Sequence, residues 1–186
     1  MKTPQQAKTI LCEGNNNFVA GLKNGNISID RRTDTAVNGQ HPYAIILACS
    51  DSRVPVEHIF YAGVGDLFVI RNAGNVVGDF DLGSMEYAAE HLGVPLLVVL
   101  GHNKCGAIAS ALSGEPAEGW LGVLLDEVKA AVVGAENAAE AEDLNIRYGV
   151  GKIMQSPVID HLVKQGKLEV IGAKYDIISG KVEFWD

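Results

Sequence analysis

Four short apolar runs punctuate the chain: Tyr43–Ala48, Leu67–Ile70, Pro95–Leu100 and Leu168–Gly172. Each is strand-sized and mostly apolar, only Glu169 interrupting the fourth, which predicts strands buried on both faces, as in a parallel sheet. Tyr175–Phe184 carries Ser179-Gly180 at its centre and predicts a hairpin that adds an antiparallel edge strand. Helical spacing fills the gaps. Residues 5–24 place Ala7, Ile10, Leu11, Phe18, Val19 and Leu22 on a helix, weakened at Gly14 and three asparagines. Such a helix would cover another surface, of the same chain or of a second subunit. Val56–Tyr61 reads as a helical turn, and 82–92 as a helix capped by Asp79 or Asp81 and stopped by Gly93. Further helices are expected over Cys105–Leu112, over 120–133, and over 144–165 with a break at Gly149, Gly151 or Pro157. Residues 25–42 are rich in turn residues and read as a long surface loop. The acidic, alanine-rich 135–143 reads as a solvated helix face. This order specifies an α/β fold: a four-stranded, mostly parallel sheet with an antiparallel C-terminal edge strand and helices on its faces.

Composition narrows the class. At 186 residues, residues 1–186 are expected to form a single domain, with a helical arm over about 1–24. No apolar run approaches the roughly 20 residues needed to span a bilayer. No signal-peptide core follows the first residues, so the expected compartment is the cytoplasm. The formal net charge of -8 argues against nucleic acid as a partner. Three cysteines do not make a disulfide framework, and Cys12 reads as a half-buried free thiol.

Chemistry concentrates at two strand ends, where ligands bind in open α/β sheets. Cys49, Asp51 and Arg53 end the first run, and His102 and Cys105 end the third. Two thiolates and an imidazole make a three-ligand zinc site if those strands are neighbours. A set of three leaves the fourth position open, the catalytic arrangement. His41, His58, His91 and His161 have no ligand-like spacing to these motifs.

Cys-Ser-Asp-Ser-Arg at 49–53 with His-Asn-Lys-Cys at 102–105 resembles the β-class carbonic anhydrases, whose signature is C-x-D-x-R followed by H-x-x-C. The flanks Gly65–Asn75, Ser84–Ala88 and Gly172–Asp176 are similar too. The resemblance implies one zinc ion per chain on Cys49, His102 and Cys105. It implies reversible hydration of carbon dioxide to bicarbonate and a proton by zinc-bound hydroxide. Asp51 and Arg53 would form the catalytic dyad, with Arg53 holding the Asp51 carboxylate ionised and aimed. Gln40 would donate to a substrate oxygen, and the Gly106 N–H would assist the developing carboxylate. Phe68, Ala73 and Tyr87 would line the apolar carbon dioxide pocket, Tyr87 reaching it from a second subunit. A homodimer or homotetramer follows. One departure matters: a second, inhibitory bicarbonate site in part of the family needs a tryptophan where this chain has Ile46, although Arg71 and Tyr175 are present. Two alternatives share these residues: hydrolysis of carbon disulfide or carbonyl sulfide, and a non-catalytic zinc-stabilised module.

Overall fold

The computed structural model describes residues 2–22 and 27–185; the start of the expected 25–42 loop and the end of the 5–24 helix lie outside them. Strand β1, Ala44–Cys49, is buried along its whole length. Strand β2 (Leu67–Asn72) pairs parallel to one side of it, and β3 (Leu96–His102) parallel to the other. Strand β4 (Glu169–Tyr175) extends the sheet parallel to β3, and β5 (Val182–Trp185) closes it antiparallel to β4. The order is β2-β1-β3-β4-β5. The hairpin strand brings the count to five, where the apolar pattern alone predicts four. The chain runs outward from β1 to β2, then crosses back to β3. That reversal opens a crevice beyond the carboxyl ends of β1 and β3.

Burial is two-sided, as unbroken apolar strands require. On one face Ile46, Val98 and Leu100 pack with Leu11 and Ile59; on the other Ile45, Leu47, Leu97 and Val99 pack with Met85, Ile146 and Ile159. A third cluster, holding Cys49, Cys105, Ile108, Leu125 and Val128, sits beside the crevice.

Helix α1 (Pro4–Val19) starts at a Thr3–Gln6 capping box and lies on its own chain. Gly14, which weakens the helix by propensity, is what brings it close: a Cβ there would stand 2.0 Å from the Phe60 carbonyl oxygen. Next to it the buried Asn15 donates to the Ile59 and Gly180 carbonyls and accepts from the Val182 N–H. The expected surface loop over 25–42 instead contains a helix, α2 (Ile29–Asn38), capped by Ser28. It buries no residue, so no apolar stripe announces it; Arg31 ties it to Asp66 and the Val64 carbonyl.

Helix α3 (Val56–Ile59) is the expected turn. Helix α4 (Asp79–Glu86) begins earlier than the 82–92 pattern predicts and runs on as a π-turn over Tyr87–His91. Its cap is Gly78, whose N–H is taken by the Asp81 carboxylate at 2.9 Å. Helices α5 (Gly106–Ser113) and α6 (Gly119–Ala131) follow β3. The predicted 144–165 helix is two. Helix α7 spans Ala138–Ile153 from an Asn137 cap, and α8 (Pro157–Lys164) restarts at Ser156-Pro157. Pro157 makes the break because it suits the first turn of a helix and not its middle. Among the described residues, no helix is long and apolar enough to cross a membrane.

Candidate metal centre

Cys49 and His102 are the last residues of β1 and β3, and Cys105 is the N-cap of α5. All three are buried, and one ligand atom from each lies within 4.8 Å of the others. His102 is oriented by its own loop: Nδ1 stands 2.8 Å from the Asn103 carbonyl oxygen. A proton on Nδ1 satisfies that carbonyl and leaves Nε2 with its lone pair free, the form that binds a metal. Nε2 is buried without a partner. A buried imidazole nitrogen with no hydrogen-bond partner among the described residues is costly, and an ion held between it and the two sulfurs would remove that cost. The donor set fits zinc.

The sulfurs are prepared unequally. The Cys49 thiol is held well below its ordinary value, first because Cys105 donates to it, with the N–H groups of Asp51 and Gly74 adding to this against burial. Those two N–H groups stand 3.4 and 3.3 Å from Cys49 Sγ. Cys105 is pushed upward by giving that hydrogen bond and by burial. Binding a cation therefore displaces a proton shared by the two cysteines.

Asp51 is clamped by Arg53. The Arg53 Nε and Nη2 donate to the two Asp51 oxygens at 2.9 and 2.7 Å, and the Arg53 N–H donates at 2.9 Å. These bonds hold the Asp51 carboxyl well below the usual carboxylate range. Arg53 also reaches the Lys104 carbonyl at 3.1 Å, tying the β1 loop to the β3 loop. Arg71, named at first only for the inhibitory site, donates instead to the Cys49 and Asp51 carbonyls at 2.8–3.1 Å. Ile46 is packed in the core.

The remaining expected residues divide. Asn72 is in register with Cys49, so Ala73 follows directly beside the site, and Gly106 follows Cys105. Phe68 is in register with Ile45, roughly 13 Å back along β1 from Cys49 at 3.3 Å per residue. Its ring lies 6.3 Å from that of Tyr87, which is 48% exposed. Gln40 is exposed and precedes the end of β1 opposite Cys49, where the Tyr43 N–H already pairs with the Asp66 carbonyl. One chain thus gathers Cys49, Asp51, Arg53, Ala73, His102, Cys105 and Gly106, and leaves Gln40, Phe68 and Tyr87 apart.

Two residues escaped the sequence reading. Glu142, assigned above to a solvated face, is buried, and so is Asn145. Extending the inward stripe Asn145, Ile146, Gly149 and Ile153 back one turn puts Ala141 and Glu142 on the core side.

Known proteins similar to this chain identify its family. The family model described as carbonic anhydrase matches residues 44–182. Carbonic anhydrase 2 of Mycobacterium tuberculosis is 38% identical, covering 98% of this chain and 93% of its own. The carbonic anhydrase of Mycolicibacterium smegmatis is 36% identical, covering 97% and 92%. A tetrameric β-carbonic anhydrase of Sordaria macrospora superposes with a TM-score of 0.75 at 29% identity, over 84% of this chain and 86% of that one. The chain belongs to the carbonic anhydrase family, and within it to the β class. It is an enzyme whose family and fold support carbon dioxide hydration.

Proposed function

We propose that the chain hydrates carbon dioxide reversibly with one zinc ion held by Cys49, His102 and Cys105. The observation that carries this reading is the buried trio itself, its ligand atoms within 4.8 Å and its imidazole nitrogen unpartnered. Zinc supplies Lewis acidity there, lowering the pKa of water towards about 7. Asp51 accepts a hydrogen bond from the attacking water and aims its free lone pair at carbon. Arg53 keeps that carboxylate ionised and fixed in direction. Paired in this way with Arg53, Asp51 would be left to hold water rather than to ligate the ion. The Gly106 N–H, first on α5, stabilises charge developing on the product.

Gln40, Phe68 and Tyr87 act on this reading across an interface, in a dimer or tetramer. The outer edge of β2, which pairs with no strand among the described residues, supports it: Phe68 of that strand lies against the half-exposed Tyr87, and Phe80, seven residues earlier, is 94% exposed. An exposed strand edge flanked by apolar side chains invites pairing. Cysteines at the centre that form no disulfide suit a reducing compartment, which supports a cytoplasmic enzyme. Residues 1–186 serve as one catalytic unit, with α1 as its N-terminal arm.

The test is stopped-flow carbon dioxide hydration on zinc-loaded protein, wild type against Asp51→Asn. Fast hydration by the wild type, lost in the variant with zinc retained, is expected. Unchanged turnover in the variant would remove Asp51 from the mechanism. A zinc-loaded wild type without hydration would leave the metal with a structural role.

A further inference from the structure

Two backbone segments beside the ligand sulfurs, the loop after β3 and the turn after β2, are each held by one residue of α7, and those residues lie one helical turn apart. Glu142 is 5% and Asn145 3% exposed. The Lys104 N–H donates to Glu142 Oε1 at 2.7 Å. Lys104 sits between His102 and Cys105 with φ at 56°, a left-handed conformation that a lysine adopts only when its surroundings impose it. On the other side, Asn145 Nδ2 donates to the Gly74 carbonyl at 2.8 Å. Gly74 is the residue whose N–H points at Cys49 Sγ, and its φ of 75° is also left-handed. Each bond therefore restrains a residue next to a ligand sulfur: Lys104, which precedes Cys105, and Gly74, whose N–H faces Cys49.

The helix itself cannot drift. Gly149 packs on Val99, and Ile146 fills the space beside Gly101 and Gly172, where an added Cβ would come within 2.5 and 2.8 Å of it. The buried carboxylate is neutralised by Lys174 of β4, whose Nζ lies 3.0 Å from Glu142 Oε2 and 2.7 Å from Asp143 Oδ1. Nothing in the packing of α7 requires a charge at this position. An apolar residue would fill the same volume, but it would take the acceptor away from the Lys104 N–H.

We propose that Glu142 and Asn145 are positioning residues of the metal centre. Spaced at i and i+3, they form a rigid brace that sets the separation of the Cys49 and Cys105 sulfurs before the metal arrives. The brace rests on the reading of Cys49, His102 and Cys105 as the zinc ligands. It does not touch substrate and has no part in proton transfer. Its contribution is to the affinity for the ion and the shape of its coordination.

The experiment measures zinc affinity by competition with a chromophoric chelator, and the visible spectrum of the cobalt(II) form. Both are read beside urea unfolding of the metal-free protein. Glu142→Ala and Asn145→Ala are each expected to weaken zinc about 10- to 100-fold and to shift the cobalt bands, with the metal-free state still folded. Glu142→Gln retains an acceptor for the Lys104 N–H and is expected to recover most of the affinity. Folded alanine variants with wild-type affinity and spectrum would overturn the brace. So would a loss of affinity that merely follows the fraction unfolded. If Glu142→Ala does not fold, Asn145→Ala and Glu142→Gln decide: the first must lose affinity and the second keep it. A wild type that takes up no zinc overturns the metal reading, whereas a wild type that binds while folded variants bind equally overturns the brace alone.

Discussion

The loops after β1 and β3 deliver the same kind of ligand to the same point, yet they are held in different ways. The β1 loop carries its own lock, with Arg71 of β2 and the Lys104 carbonyl as further anchors. Asp51 and Arg53, two residues apart, lock each other through three hydrogen bonds, and the Asp51 N–H turns back to Cys49 Sγ. The β3 loop is held from a distance. Its Lys104 N–H reaches Glu142, and its Asn103 reaches the Ile177 N–H and Asp176, beyond β4. A loop with local supports can be read from a short motif, and a loop with remote supports cannot.

The largest expected effect comes from breaking the local support. Asp51→Asn should lower hydration by about 10²- to 10⁴-fold, the range for losing a positioned proton-handling group. Zinc content should stay at the wild-type level, because Cys49 keeps its place at the end of β1. Loss of zinc together with activity would show that the two loops are not separable in this way.

Breaking the remote support should cost stability and metal affinity instead. Lys174→Met leaves the Glu142 carboxylate buried without its cation. Fully buried pairs lose about 3–5 kcal/mol when one partner goes. With Lys174 19% exposed, about 2–3 kcal/mol is expected in urea unfolding. At saturating zinc, turnover should remain near wild type. A smaller change tests how rigidly α7 presses on β3. Gly101→Ala drives a methyl group into Ile146, and overpacking of this kind costs about 1–3 kcal/mol. An unchanged urea midpoint would mean that the helix yields and cannot act as a brace.

The smallest effect is one of pH. Asp176, which anchors Asn103, is held below the usual carboxylate range, first by the Ser179 N–H and then by its hydroxyl. A carboxyl depressed in the folded state stabilises fully above its unfolded value, about 3.9, and loses that contribution as pH falls through the lowered folded value. The stability difference between wild type and Asp176→Asn should therefore be flat from pH 7 to about 4 and shrink below it, measured by unfolding at each pH. A difference that grows on acidification would contradict the assignment.

What the sequence made legible follows the same division. The central strands stood out because burial on both faces leaves unbroken apolar runs such as Ala44–Cys49. Cys49, Asp51, Arg53, His102 and Cys105 stood out because the chemistry packs them into two short stretches. Helix α2 was hidden, since a helix with no buried residue has no stripe and rests on polar contacts such as those of Ser28 and Arg31. Glu142 was hidden by its company: among Glu136, Glu140 and Asp143 it looks like one more solvated acid, and only the phase of α7 turns it inward. Gln40, Phe68 and Tyr87 matched a family pattern by position, but a linear match does not say which chain's site a residue serves.

The most direct test of the central claim is a zinc titration of metal-free protein followed by stopped-flow carbon dioxide hydration at each addition. The account predicts negligible hydration without metal and a rate that rises linearly to a plateau at one zinc per chain, with no rise when Cys49, His102 or Cys105 is replaced by alanine. Full activity in the metal-free protein, or a plateau that survives loss of one of those three side chains, would contradict it.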